Sequence, residues 1–514
     1  MKRILALFLV AGLSLCLFAG CEDDPGVYVP TGDGLTWDDD YTGQPDDVLN
    51  SDQSLKLTYY PDRSMNPFIC TDFTNRALFT LLYQSLFIID RQYNIEPLLC
   101  KSYSVSKDMK TYVFYLEDAK FTDNTPLTGA DVVASLQAAK SSDYYSGRFT
   151  HIKSFALQED GGVQIRLNIP FENLPLLLDI PIVKESDVKL DTPMGTGPYY
   201  LDTNTQNPLL RRNTNWWCRS NLVVTAPAIT LMPAQSITGI RDDFEFNGLD
   251  LVCADPGSDR YADYRCDYEL WDCENNIFVY LACNMESAVF SNEEVRAALT
   301  RAINRDSLAE SFYRGFARST TLPVSPLSPY HSQTLAAKYT YDQGQALTQA
   351  VKNNAMSGAS VTLLVNSDDS LRLRVAREIG KMLTACGLTV QMSELGGTAY
   401  TQALRYRRYD LYLGQTKLSA NMDLTPFFST KGSLNYGKFD DVGMYTLCVE
   451  SLANHGNYYT LHKNIMDDGR LVPILFRSYA IYATRGLLTG LTPARDSVFY
   501  YSLGKTMDKA LISQ

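Results

Sequence analysis

The sequence predicts an α/β protein built as two lobes. Three observations carry that expectation. The chain has 514 residues, more than one small hydrophobic core organises, so two or more lobes are expected. Patterns of period two and of period 3.6 alternate along it, as they do where strands and helices share a sheet. Two strongly apolar strand patterns lie far apart, at 276–284 and 471–484. The first is placed to carry the chain into a second lobe, the other to bring it back. Apolar residues at 45% and charged residues at 20% describe an ordinary globular body.

The elements follow in chain order. Residues 1–20 open with Lys2 and Arg3 and continue as an unbroken apolar and small-residue run ending at Ala19 and Gly20. That is the shape of a secretory signal. Leu17, Phe18, Ala19, Gly20 and Cys21 resemble a bacterial lipobox, which implies cleavage before Cys21 and a diacylglycerol on its sulfur. An uncleaved anchor is the alternative, and on either reading the chain is exported and held at a membrane surface. No later apolar run reaches the ~20 residues that span a bilayer, which excludes a channel or permease.

Residues 21–52 read as an acidic, solvated tether. They hold ten Asp and Glu, no Lys or Arg, and Pro25, Pro30 and Pro45, a composition that buries too little surface to fold. The tether also accounts for most of the net charge of −12. Without its ten acids and the two basic residues of the leader, 44 basic residues face 48 acidic ones, against 46 and 58 in the whole chain. No basic stripe stands out, so nucleic acid is not an expected partner.

In the body, residues 54–60, 111–116 and 163–169 alternate apolar and polar residues as half-buried strands do, and residues 128–140 carry a helical period with Thr128 as N-cap. Residues 291–315 read as a helix opened by a Ser291–Glu294 capping box, with Val295, Leu299 and Ile303 as its apolar face and Gly315 as its stop. Residues 360–392 read as strand, helix and strand, the helix capped by Asp368 or Asp369 and ended by Gly387, a parallel βαβ unit. A further strand lies within 407–416. No internal repeat of 20 to 50 residues is present.

Of eleven cysteines, Cys16 falls in the leader and Cys21 at the lipobox, leaving nine. Nine is odd, so at least one is free. The four between 253 and 283 are close enough in sequence to pair in an oxidising space, while buried free thiols are the reading for most. No C-x-x-C occurs and the four histidines are remote from that cluster, so no metal or cofactor is expected.

Enzyme motifs are fragmentary. Ser104–Lys107 and Ser502–Lys505 match S-x-x-K without the S-D-N that should accompany it. There is no G-x-S-x-G, Walker loop or H-E-x-x-H, and no catalytic residue is expected. Residues 194–201, MGTGPYYL, have G-x-G but lack the third glycine and following helix of a dinucleotide site. Gly195 and Gly197 are read there as permitting positive φ, with Pro198 fixing the entry to a strand at Tyr199.

That turn, GTGPYYL, resembles the G-T-G-P-Y turn of the extracytoplasmic solute-binding proteins of peptide-type ABC importers. Residues 81–136 follow the same family's run from "P-L-A-x-S-W" through "F-x-D-G-x-P-L-T-A-x-D-V", and residues 295–317 resemble its "V-R-x-A-L-x-x-A-I-D-R" helix. Departures are mild: Leu99 and Cys100 follow the "P-L" position, Tyr103 replaces Trp, Asp123-Asn124 replaces "D-G", and Asn304 replaces Asp. The resemblance implies a periplasmic-binding-protein-like (Venus flytrap) fold of the large peptide-binding type. Lobe I would cover 53–272 with an extra subdomain at about 85–190, lobe II would cover 273–470, and 471–514 would return to lobe I.

It also implies the function. The chain would be the lipid-anchored substrate-binding component of an ABC importer, on the outer face of the cell membrane (in the periplasm if Gram-negative). It would be a monomer that takes an oligopeptide or similar small solute and delivers it to the permease and ATPase subunits. A ligand-sensing or adhesion lipoprotein of the same fold, or a binder of sugars or metal chelates, is the alternative.

Candidate ligand residues come from the family's cleft regions. Ser64 and Asn66 follow the first strand, where they either donate to a ligand carbonyl or satisfy their own turn. Trp271 and Tyr280 flank the crossing strand and either stack on a ligand or pack the hinge. Trp216 and Trp217 resemble the family's "N-x-x-Y-W" and read as structural. The family's "W-x-x-D-Y/N-x-D-P", whose first Asp can hold a peptide's amino group, falls on residues 413–428. The first acid's place is taken by Ala420 or Asn421, while Asp423 keeps the second, either as a substitute ammonium clamp or as a turn acid before Pro426.

Overall fold

The computed structural model describes residues 55–205, 208–218, 226–258, 263–488, 491–504 and 511–513. The leader, Cys21 and the acidic segment lie outside the described residues.

Strand β1 (Leu55–Tyr59) is followed by β2 (Cys100–Ser106), β3 (Thr111–Leu116), helix α1 (Gly129–Lys140), β4 (Ile152–Leu157) and β5 (Val163–Leu167). Strands β2, β3, β5 and β4 pair antiparallel in that order in a separate sheet, to which Leu511–Ser513 adds a parallel strand on β2. Helix α1 begins where its sequence predicts: the Asp131 carboxylate accepts from both the backbone N–H and the hydroxyl of Thr128, at 2.9 and 2.7 Å.

The chain then lays down β6 (Tyr199–Asp202), β7 (Leu209–Arg212), β8 (Ala228–Pro233), β9 (Leu251–Ala254) and the long β10 (Tyr268–Cys283). Helices α2 (Glu293–Leu299) and α3 (Arg305–Tyr313), β11 (Ala317–Ser319), β12 (Ser360–Asn366), α4 (Ser370–Ala385), β13 (Thr389–Leu395) and β14 (Leu411–Lys417) follow. Helices α5 (Val442–Ala453) and α6 (Tyr458–Asp468) lead to β15 (Leu471–Thr484). The main sheet runs β6-β7-β8-β1-β9-β15-β10-β14-β12-β13, with β11 added on β15. Strands β12 and β13 are parallel, as the strand–helix–strand pattern requires, and Asp369 is the cap of α4.

Strands β10 and β15 are the joint between the lobes. In β10, Val279, Leu281 and Cys283 enter one core and Phe278, Tyr280 and Ala282 another, so period-two alternation buries both faces of the strand. At its start, β15 feeds those same two cores through Val472 and Ile474 on one side and Leu471 and Phe476 on the other. Its second half feeds two different cores, Ile481 and Ala483 into one and Ala480 and Tyr482 into the other. One strand therefore serves four cores, one of which also takes Ile89, Tyr93 and Leu176 from the first lobe.

Between the halves the ladder slips. Glu274 pairs with Ser478 and Phe278 with Phe476, so residues 275–277 of β10 face Arg477 alone. Asn276 takes φ 56° in this bulge, an αL value that Asn tolerates better than most residues.

Two expectations are corrected. The 291–315 pattern is two helices, not one. Asn292, not Ser291, caps the first, accepting from Val295 N at 3.1 Å, while Glu294 turns outward to Asn354. Buried Arg305, which opens the second helix, donates to Thr300 O at the break and to Pro473 O in β15, at 2.7 Å each. Gly195 and Gly197 are also not needed for positive φ, since neither adopts it. A Cβ at Gly195 would stand 2.1 Å from Leu82 O, and one at Gly197 2.5 Å from Leu81 O. Close backbone approach is what demands glycine there.

None of the nine cysteines from Cys70 to Cys448 is in a disulfide, and seven are buried.

Candidate functional site

A charged cluster forms where Lys417 of one lobe meets residues of the other. Arg76 closes a short helix at 73–76, and its guanidinium is buried. It donates to Cys70 O at 2.9 Å, Pro67 O at 3.2 Å and Tyr145 Oη at 2.7 Å, and its Cζ lies 3.3 Å from the centroid of the Tyr144 ring. Arg148, a turn past α1, is paired with Asp179. Lys417, the last residue of β14, comes from the other lobe and donates to Tyr144 Oη at 2.8 Å and to both oxygens of Asp496 at 2.6 and 2.7 Å.

Beside Asp496, Arg495 is 5% exposed. Its Nη1 lies 3.3 Å from Asp179 Oδ2, but neither Nη1 nor Nε makes a hydrogen bond among the described residues. Burial pushes the Lys417 ammonium down to about 8 against the opposing pull of Asp496. Burial alone would raise the Asp496 carboxyl, and Lys417, Arg495 and Arg76 reverse that and hold it below its usual range. A cavity of about 90 Å³ opens among Arg76, Tyr144, Tyr145, Arg148, Asp179, Arg495 and Asp496.

The residues expected from the sequence lie elsewhere. Ser64 and Asn66 bind the 188–191 loop: Ser64 Oγ donates to Asp191 O at 3.2 Å, and Asn66 Nδ2 to Val188 O and Leu190 O at 3.0 and 2.7 Å. Trp271 pairs with Ile481 and packs on a first-lobe core. Tyr280 is buried, its ring edge-on to Phe427 at 5.0 Å, over Gly414, where a Cβ would meet its ring at 2.5 Å. Asn421 Oδ1 accepts from Ser419 Oγ at 2.6 Å. Trp216 is buried against Tyr501, and Trp217 Nε1 donates to Gln84 at 2.7 Å.

Asp423 spans the cleft. Its Oδ1 accepts from Thr425 N at 2.8 Å, and its Oδ2 lies 3.0 Å from Nε2 of His151, which also meets Thr425 Oγ1 at 2.9 Å. Glu172 makes a parallel bridge, accepting from His455 N and donating its own N–H to Leu452 O, both at 3.0 Å. None of these sequence candidates lines the charged cavity. Sequence reasoning missed the cationic cluster because its members are scattered from 76 to 495. One signal was present: with the pattern's first acid on Ala420, its Trp falls on Lys417.

Among the described residues no cluster of His, Cys, Asp and Glu is arranged to hold a metal ion, and no helix is long and apolar enough to cross a membrane.

Residues 94–437 match the model of bacterial extracellular solute-binding proteins, family 5. The chain is 26% identical over 359 residues to the glutathione-binding protein GsiB of Escherichia coli O6:K15:H31, covering 65% of this chain and 67% of that one. The ABC transporter substrate-binding protein CtaP of Listeria monocytogenes superposes with a TM-score of 0.71 at 16% identity, over 88% of this chain and 98% of that one. DppA of Helicobacter pylori, bound to the peptide STSA, superposes with a TM-score of 0.62 at 18% identity, over 88% and 98%.

Proposed function

The chain belongs to the bacterial extracellular solute-binding proteins of family 5, substrate-binding components of ABC importers, and on that premise we propose that it captures a peptide or peptide-like solute between its lobes and presents it to a membrane permease. A lipid on Cys21 would hold it at the membrane, with residues 21–52 as the spacer.

The observation that carries the reading is the joint. Two strands connect the lobes, and the ladder between them slips at a bulge at Glu274–Ile277, where a hinge can lie. Polar side chains from both lobes meet across the cleft, with Lys417 reaching Tyr144 and Asp423 reaching His151. A ligand that touches both lobes only when they are together shifts the population toward closure, and a permease reads that shape. Nothing in this sequence of events makes or breaks a covalent bond.

The test is thermal unfolding of the full-length chain in detergent, with di- to octapeptides, cello-oligosaccharides and nickel chelates. A ligand at about a hundred times its Kd stabilises the folded state by about 2.7 kcal/mol, so peptides are expected to raise the midpoint. A rise with oligosaccharides or chelates alone would overturn the peptide reading and leave the binding-protein fold untouched.

A further inference from the structure

The joint between the lobes holds two buried acids. Asp272 and Glu274 stand two residues apart on β10, at the edge of the bulge, and are 3% and 4% exposed. Each takes partners from both lobes. Asp272 Oδ1 accepts from Arg91 Nη2 at 2.7 Å and its Oδ2 from Arg318 Nη2 at 3.1 Å. Glu274 Oε1 accepts from Ser325 Oγ at 2.7 Å, and the Tyr93 hydroxyl stands 2.7 Å from the same oxygen and from Asn276 Oδ1 in the bulge. Arg91 and Tyr93 belong to a first-lobe hairpin in which 87–89 pair with 95–97. Arg318 lies in β11, which pairs with residues 475–477 of β15, and Ser325 follows in the second lobe.

Tyr93 is held in this place against its local preference. Its N–H donates to Asp90 O at 3.2 Å, and the Asp90 N–H to Asn94 O at 3.0 Å, so it ends a tight turn. Its φ is 65°, in the left-handed region that suits Gly or Asn and is an outlier for a bulky residue. Such strain persists only where the surroundings enforce it. Here they do: the ring is buried in a second-lobe core, beside Ile89 and Leu176, the other first-lobe members of that core.

We propose that Asp272 and Glu274 form a clasp that keeps the lobes closed before any ligand arrives, with the hairpin tip at 90–94 as its moving jaw. The proposal rests on the binding-protein reading and goes beyond it by fixing the resting arrangement. Opening withdraws one lobe's partners from each acid and pulls Tyr93 out of an apolar core. The clasp therefore slows entry, because ligand reaches the cleft only while the lobes are apart, and slows release for the same reason.

The experiment is hydrogen exchange of the ligand-free full-length chain in detergent. Two amides far from the clasp report opening, because their bonds cross the lobes: Glu172 N–H to Leu452 O, and His455 N–H to the Glu172 carboxylate. In the wild type both should be protected. Tyr93→Phe, which keeps the ring, and Ser325→Ala, from the other lobe, should each speed exchange at both amides by about tenfold or more, the effect of losing a hydrogen bond to a charged group. Arg91→Met should do the same and Arg91→Lys much less. With Ala-Ala-Ala as the probe, Tyr93→Phe should raise the association and dissociation rates together.

Exchange at Glu172 and His455 as fast as in an unprotected amide of the wild type would overturn the clasp, since the lobes would then rest open. Faster exchange in Tyr93→Phe confined to the hairpin would also overturn it and make the hydroxyl a support of the first lobe alone. Silence toward Ala-Ala-Ala would count against the peptide reading only, because the two amides decide the clasp without a ligand.

Discussion

Lys417 Nζ stands 2.6 and 2.7 Å from the two oxygens of Asp496, yet burial among Arg76 and Arg148 pushes its pKa down to about 8. The unfolded chain keeps this proton to about 10.4. Between those values the unfolded state holds a proton that the folded state has released, so stability contributed at this site rises with pH, by up to about 1.4 kcal/mol per unit. Below about 8 both states are charged and the full penalty of burying the ammonium is present. Comparing unfolding midpoints from pH 7 to 10 in the wild type and Lys417→Met should therefore show the wild type gaining on the variant as pH rises, on top of a pH 7 difference that carries the loss of Asp496's partner. A gap constant with pH would mean that Lys417 pairs with Asp496 without strain. The family pattern reaches this residue only by placing its Trp there; the charge matters because Asp496 and Tyr144, distant in sequence, fold against it.

At the scale of elements, local chemistry decides most boundaries and tertiary demand decides the rest. Asn304 stands where the family pattern has Asp and does the same work, capping α3 by accepting from Ser307 N at 3.1 Å. Asn304→Ala should cost about 1 kcal/mol and Asn304→Asp nearly nothing, read from the unfolding midpoint; equal losses in both would show that the cap is not what the site contributes. The cap of α1, the parallel pair β12–β13 and the crossing strand at 471–484 were legible because each depends on residues within one short window. The break between α2 and α3 was not, because it exists to place Arg305 against Pro473 O, 168 residues away. The glycines of GTGPYYL were legible as a demand for glycine but not as its cause, which is the Leu81–Leu82 backbone packed against them.

Across the whole molecule, the two-lobed plan follows from patterns along the chain, whereas the cleft is assembled from residues that approach only when the lobes fold and meet. Asp423 illustrates the difference. The family pattern makes it a candidate to hold a peptide's amino group, but in the folded protein both its oxygens already have partners, Thr425 N and His151 Nε2. As a latch, it would act by adding to the stability of the closed arrangement, and ligand affinity falls only by the fraction of closed protein that is lost. A single hydrogen bond of about 1 kcal/mol corresponds to roughly fivefold. His151→Ala, Asp423→Ala and the double variant should then all weaken peptide binding by a similar three- to tenfold, because the second change removes nothing once the bridge is gone. N-acetylated and free-amine peptides should suffer alike, and small-angle scattering should show the ligand-free variants more expanded than the wild type. If instead Asp423 exchanges His151 for a ligand ammonium, Asp423→Ala alone should cost about a hundredfold or more, only for free-amine peptides, with His151→Ala close to wild type. The two mechanisms therefore separate on four titrations, and the acetylated peptide decides between a residue that closes the cleft and one that reads the end of what enters it.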